Sequence, residues 1–150
     1  MQDNTKMNAA ILIVDDEEAM VEITKTLMDD YVERIFTSTD VPNALNILEK
    51  ESIQCIISDL KMPGKDGLAF IREVRRRKYD IPFIFYTAHG NEKHEAEALN
   101  YGAFDFIHKP ELQHLVDIAL KGLAAGLKAS LDDDHNIVAK YQDLTQRPKG

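Results

Sequence analysis

The chain has 150 residues, 44% of them apolar and 29% charged, with a net charge of −8 at neutral pH. One domain with its own core fits that length and composition, and the longest apolar runs, about six residues, are far too short to span a bilayer. Met1–Asn8 is polar and carries no apolar signal segment. The lone Cys55 can form no internal disulfide, so a cytoplasmic, reducing setting is expected. From Lys128 onward, four acids (Asp132, Asp133, Asp134, Asp143) balance four bases (Lys128, Lys140, Arg147, Lys149). The negative excess therefore lies in residues 1–127 and argues against direct nucleic-acid binding there.

The elements alternate along the chain. The run Ala10–Val14 predicts a buried strand ending at Asp15 and Asp16. A helix follows over Glu17–Asp30, with Ala19, Met20, Ile23, Leu27 and Met28 at helical spacing. Arg34–Ser38 reads as a second strand. Asp40 is placed to cap a helix whose face is Val41, Ala44, Leu45 and Leu48, with Pro42 tolerated in its first turn. Gln54–Ser58 is a third strand, ending at Asp59. Asp66 or Gly67 opens a third helix with Phe70, Ile71 and Val74 inward. Its basic end, Arg75-Arg-Arg-Lys78, meets the negative end of the helix dipole. Pro82–Tyr86 is a fourth strand, ending at Thr87. Asn91 caps a polar, weakly anchored fourth helix that closes at Gly102. Phe104–His108 is the fifth strand, ending at Lys109, and a fifth helix carries Leu112, Leu115, Val116, Ala119, Leu120, Leu123 and Leu127 on one stripe.

Five strands alternating with five helices predict an α/β, doubly wound parallel sheet of order 2-1-3-4-5. The apolar first, third and fourth strands suit a sheet covered on both faces. In such a sheet the functional groups gather beyond the carboxyl ends of the strands. Asp15, Asp16, Asp59, Thr87 and Lys109 would then converge on one acidic pocket holding a single cation. Each has an ordinary alternative: Asp15 or Asp16 as a helix cap, Asp59 as a turn acid, Thr87 as a strand residue, Lys109 as a loop lysine. Their joint occurrence favours a shared site. Hard oxygen ligands on short side chains suit Mg²⁺, or Mn²⁺. A lysine and a hydroxyl opposite them suit a transferring phosphoryl group, with a carboxylate as nucleophile.

The Asp15-Asp16 pair, the loop Ser58-Asp-Leu-Lys-Met-Pro-Gly-Lys-Asp-Gly67, Thr87-Ala88 and Lys109-Pro110 together resemble the receiver domain of bacterial two-component response regulators, over about residues 9–127. The resemblance implies a chemotaxis-regulator-like, flavodoxin-like (βα)5 fold and a phosphorylation-activated signalling switch. Asp59 would be the phosphoacceptor, supplied by a sensor histidine kinase or phosphotransfer protein. Asp15, Asp16, Asp59 and the backbone carbonyl of Lys61 would hold Mg²⁺. Thr87, Ala88 and Lys109 would bind the phosphoryl group, Phe106 would rotate with Thr87, and the bond before Pro110 would be cis. Phe106, lacking a hydroxyl, should lean inward. Lys61 and His89 would flank the route of attacking water and set phosphoryl lifetime. The output surface would be the fourth helix, last strand and fifth helix, acting on a downstream protein, a fused effector domain or a second copy.

A different class remains open: a Mg²⁺-dependent phosphohydrolase with an aspartyl nucleophile. Such enzymes generally carry a second acid two residues after the nucleophile, where this chain has Lys61. Nucleotide-binding glycine motifs follow none of the strands. Residues 1–8 are expected to be disordered, and 128–150 to be a mobile tail or linker. Within the latter, Asp132–Asn136 reads as a break, and Ile137, Tyr141 and Leu144 as one face of a short amphipathic helix. A stand-alone switch is favoured slightly over a fragment of a longer chain.

Overall fold

A computed structural model of the protein describes residues 5–146, with side chains described from Thr5 to Leu131. Among these, the strands are β1 (Met7–Val14), β2 (Val32–Ser38), β3 (Cys55–Ser58), β4 (Phe83–Thr87) and β5 (Asp105–His108). The helices are α1 (Glu18–Met28), α2 (Val41–Lys50), α3 (Gly67–Arg76), α4 (Glu92–Asn100) and α5 (Leu112–Gln146). All strand pairs are parallel, in the order β2-β1-β3-β4-β5. No described helix is long and apolar enough to cross a membrane.

Alternation along the strands sorts side chains into two cores, because successive residues point to opposite faces. Leu12, Val14, Ile56, Phe83, Phe85 and Phe106 join Val41 and Leu45 of α2, Phe70, Ile71 and Val74 of α3, and Ala98 of α4. Ile11, Cys55, Ile57, Ile84, Tyr86 and Ile107 join Met28 of α1 and Leu115, Ala119 and Leu123 of α5. Helix starts follow the sequence. Asp40 accepts from the backbone N–H of Asn43, Asp66 from Ala69 and Asn91 from His94. Ala98 is the one buried residue of α4.

Three expectations need correction. The buried face of α1 is Val21, Thr24 and Met28, while Ile23 is 47% exposed and Ala19 faces solvent. Thr24 can go inside because its hydroxyl donates to the Met20 carbonyl. That bond removes the cost of burying it. Second, Met7 and Asn8 open β1 instead of belonging to a disordered terminus, since Met7 pairs with Val32 across a register shift. Residues 1–4 lie outside the described residues. Third, α5 continues through Asp132–Asn136 to Gln146 with no break. A helix tolerates one run of acids when its neighbours carry the backbone hydrogen bonds on. The side chains of Ile137, Tyr141 and Leu144 lie outside those described.

Helix α5 lies unusually close to β3. A Cβ on Gly126 would stand 1.9 Å from the Gln54 carbonyl oxygen, and one on Gly122 would stand 3.0 Å from Cys55 Sγ. These two glycines let the helix backbone sit directly on the strand end. The Cys55 thiol is thereby sealed, and burial pushes it up to about 12.

Arg75 does more than compensate a dipole. Its Nε donates to Tyr101 O (3.0 Å), Nη1 to Tyr79 O and Ile81 O (both 2.9 Å), and Nη2 to Gly102 O (3.0 Å). One guanidinium thus ties the end of α3 to the loops before β4 and β5. Arg76 and Arg77 instead pair with Glu73, and Arg77 also with Glu49.

Arg75→Ala should cost about 2–3 kcal/mol, the scale of losing charge-assisted bonds to carbonyls, and Arg75→Lys should restore less than half because an ammonium cannot fork. Urea unfolding measures both; full rescue by lysine would reduce the clamp to a point charge. Cys55 should react with iodoacetamide only as the chain unfolds globally, so its labelling curve should overlay the unfolding curve. Earlier labelling would mean that α5 detaches from β3 on its own.

Candidate functional site

The carboxyl ends of β1, β3, β4 and β5 deliver the site, with Val14, Ser58, Phe85 and Phe106 in one row across the sheet and β4 and β5 running two residues further. Val14 pairs with Ser58, and Thr87 with His108, so the residues just beyond them are neighbours. Backbone bonds extend the sheet one residue into the site: Asp15 N donates to Ser38 O, Asp59 N to Val14 O and Lys109 N to Thr87 O. The side chains therefore start from fixed positions, although each begins a loop.

Asp15 and Asp59 are buried, and each divides its carboxylate between the backbone and Lys109. Asp15 Oδ1 accepts from Glu17 N (3.0 Å) and Oδ2 from Lys109 Nζ (2.8 Å). Asp59 Oδ1 accepts from Leu60 N (2.7 Å) and Oδ2 from Lys109 Nζ (3.3 Å). Asp15 is not the side-chain cap of α1; that position is Glu17, which makes no side-chain cap bond. Asp16 is exposed. Carboxylate oxygens of Asp15, Asp16 and Asp59 all lie within 4.8 Å of one another.

One ammonium among three acids leaves the cluster short of positive charge. Burial, with the Asp59 charge adding to it, pushes the Asp15 carboxyl above its usual range against the lowering effect of Lys109 and the Glu17 N–H. Burial works against the Lys109 charge, but the hydrogen bond to Asp15 and the fields of Asp59 and Asp15 outweigh it and hold its pKa up. An all-oxygen cluster with one solvent-facing carboxylate fits a hard divalent cation that keeps several waters. Soft metals find no sulfur or imidazole in this cluster.

Thr87 is fully buried, and its hydroxyl is already engaged. It donates to His89 O (2.8 Å) and accepts from His89 N (3.0 Å), closing a tight turn. Ala88, His89 and Lys61 are exposed at the rim. Phe106 is buried, 5.6 Å from the Phe85 ring centroid. A Cβ on Gly90 would meet Phe106 Cζ at 2.8 Å, so the loop after β4 rests on that ring. The Lys109–Pro110 bond is cis. A cavity of about 360 Å³ opens on the far side of the β3–α3 loop, lined by Leu60, Lys61, Met62, Asp66 and His94 among others; no aspartate of the cluster lines it.

Sequence reasoning missed Tyr86. Its ring centroid lies 5.7 Å from Lys109 Nζ, on the face of β4 opposite Thr87. The available signal was a polar aromatic in an otherwise apolar strand, one residue from a site position.

Comparison with known proteins gives the same fold and identifies the family. Response regulator SaeR of Staphylococcus aureus (strain USA300) is 36% identical over 100 residues, 67% of this chain and 43% of SaeR. The chain thus spans less than half the length of this curated relative. The signal receiver domain of a putative Luxo repressor protein from Vibrio parahaemolyticus superposes with a TM-score of 0.78 at 25% identity, covering 83% of this chain and 97% of that one. NtrX from Brucella abortus gives a TM-score of 0.75 at 29% identity, covering 85% of this chain and 30% of NtrX. The response regulator receiver domain family matches residues 11–120, which include the cluster, the threonine and the lysine. A doubly wound sheet whose strand ends gather three aspartates around one lysine is, in this chain, the receiver domain of a two-component response regulator, and the chain belongs to that family.

Proposed function

We propose that the chain is a phosphorylation-activated switch of a cytoplasmic two-component phosphorelay, taking a phosphoryl group onto Asp59 from a sensor histidine kinase or phosphotransfer protein. One observation carries this reading: the Lys109 ammonium bridges the buried carboxylates of Asp15 and Asp59 at 2.8 and 3.3 Å. A cation placed there can leave two carboxylates for three phosphoryl oxygens without leaving the pocket.

An Asp59 carboxylate oxygen attacks phosphorus. The O–P bond forms as the donor's N–P bond breaks, and the departing imidazole keeps the bonding pair and takes up a proton. Asp15, Asp16, Asp59 and the Lys61 carbonyl would hold Mg²⁺, or Mn²⁺, which when bound supplies positive charge to the phosphoryl oxygens. Lys109 stabilises those oxygens from the other side, with Thr87 and Ala88. To reach them, the Thr87 hydroxyl gives up its bond to His89 O, and the Ala88–Gly90 turn moves with it. Phe106, in contact with that turn, follows. The chain promotes its own phosphorylation and dephosphorylation in this way and is not a turnover enzyme. Lys61 and His89 stand at the rim, where they influence hydrolysis.

Output runs through α4, β5 and α5. Helix α4 buries only Ala98 and moves at low cost, and Leu99 near its end (55%) and Phe104 after it (39%) are exposed. Docking of a downstream protein, a fused effector domain or a second copy there would follow phosphorylation. The receiver runs from Met7, where β1 begins, to Leu127, and α5 beyond it is a tail or linker.

Acetyl phosphate with Mg²⁺ should add one acid-labile phosphoryl group per chain, counted by intact mass. Asp59→Asn should abolish it and, by removing one of three repelling charges, stabilise the metal-free protein by about 0.5–2 kcal/mol. Labelling of the Asn variant at the wild-type rate would move the nucleophile elsewhere. Mg²⁺ alone should raise the melting temperature, by ~2.7 kcal/mol of stabilisation at a hundredfold excess over Kd. Asp16→Ala should erase that rise, and an unchanged rise would assign the metal to other ligands.

A further inference from the structure

Tyr86 is buried, 2% exposed, and its hydroxyl has no hydrogen-bond partner among the described residues. Its ring belongs to the core that packs α1 and α5 onto the sheet, together with Ile57, Ile84, Ile107 and Leu115. It pairs with Ile107 in β5, two residues before Lys109. The Lys109 ammonium stands over this ring, 5.7 Å from its centroid, within the range where a cation is attracted to an aromatic face. The ammonium is nearly enclosed, with the Lys109 side chain 10% exposed.

The three contacts of the ammonium differ in permanence. Those to Asp15 and Asp59 last only while the carboxylates have no other partner. A divalent cation on the same oxygens, or a phosphoryl group on Asp59, ends the competition for Lys109. The ring contact survives both events, because it uses no carboxylate. A lysine freed from its ion pairs is a strongly hydrated charge on a flexible stem, and it would turn toward the open side of the pocket. Ordering it again would then weaken capture of the phosphoryl group. Attraction to a ring face is only loosely directional, so the ammonium can slide from carboxylate to phosphoryl oxygen while remaining over the ring.

We propose that Tyr86 is a positioning residue for phosphoryl transfer, its ring retaining the Lys109 ammonium over the pocket after Asp15 and Asp59 are engaged by other partners. This rests on the reading of Asp59 as phosphoacceptor. The ring is the working part, so phenylalanine should serve equally well. An aliphatic side chain would fill the core but hold nothing.

The test is the affinity of the Mg²⁺-loaded protein for beryllofluoride, followed by the amide signals of the loop after Asp59. Tyr86→Phe should bind within about 2-fold of wild type. Tyr86→Leu should bind about 5-fold more weakly, the scale of a partly desolvated cation–aromatic contact. In a Lys109→Ala background, Tyr86→Leu should add no further loss, because the pair acts as a unit. An equal loss in that background, no loss at all, or a Tyr86→Phe variant as weak as Tyr86→Leu overturns the proposal. If Tyr86→Leu does not fold, a ring-fluorinated phenylalanine at position 86 keeps the shape and weakens the attraction of the ring face. It should show the same 5-fold loss, and wild-type affinity would overturn the proposal. Failure of the wild-type protein to bind beryllofluoride would remove the Asp59 reading and this inference with it. Binding by wild type with unaltered Tyr86→Leu would remove the inference alone.

Discussion

The bridge from Lys109 to Asp15 and Asp59 is the constraint around which the rest of the molecule is arranged. Two buried carboxylates beside a third acid repel one another, and a buried acid without a partner is costly. Lys109 answers that repulsion because β1 and β3 end in one row while β5 runs two residues further before it reaches the lysine. Parallel pairing in the order β2-β1-β3-β4-β5 fixes that stagger, which sets Asp15 beside Asp59 and Lys109 beyond both. The apolar strands and the helices on both faces hold that alignment rigidly. Charge placement at the site is thus a consequence of strand register.

The same bridge makes the site responsive. Each buried carboxylate keeps one oxygen on a backbone N–H and the other on the lysine. The backbone bonds fix the carboxylates, while the ion-pair half can be exchanged for a metal or a phosphoryl group. Thr87 is arranged alike, since its hydroxyl is tied only to the loop it would pull. Rigidity in the sheet and exchangeability at its rim therefore coexist within a few ångströms.

Much of this was readable because the decisive information lies at strand ends. Apolar runs terminating in Asp15, Asp59, Thr87 and Lys109 identify both the sheet and the pocket, and caps such as Asp40, Asp66 and Asn91 have unmistakable local chemistry. What escaped depends on partners distant in sequence. The inward turn of Thr24 over Ile23 follows from a hydroxyl satisfied by Met20, which hydropathy does not register. Met7 and Asn8 become strand only because β2 lies alongside. Arg75 looks like any basic residue at a helix end until four carbonyls from two loops converge on it. Tyr86 looked like core because its ring is core; its relation to Lys109 arises only when β4 and β5 pair.

The two glycines where α5 meets β3 have a mechanical consequence. With the helix backbone resting on Gln54 at Gly126, α5 behaves as a beam clamped near its middle. From Leu127 to Gln146 the helix runs on for twenty residues, roughly 30 Å at 1.5 Å per residue. A tilt of about 5° at the clamp would carry the far end some ~2.6 Å at that helical rise. Displacement grows with distance from the clamp, so the helix turns a small angle at Gly126 into a larger movement at its far end. Any larger residue at position 126 would lift the beam from its support, changing the direction in which it points before any signal arrives.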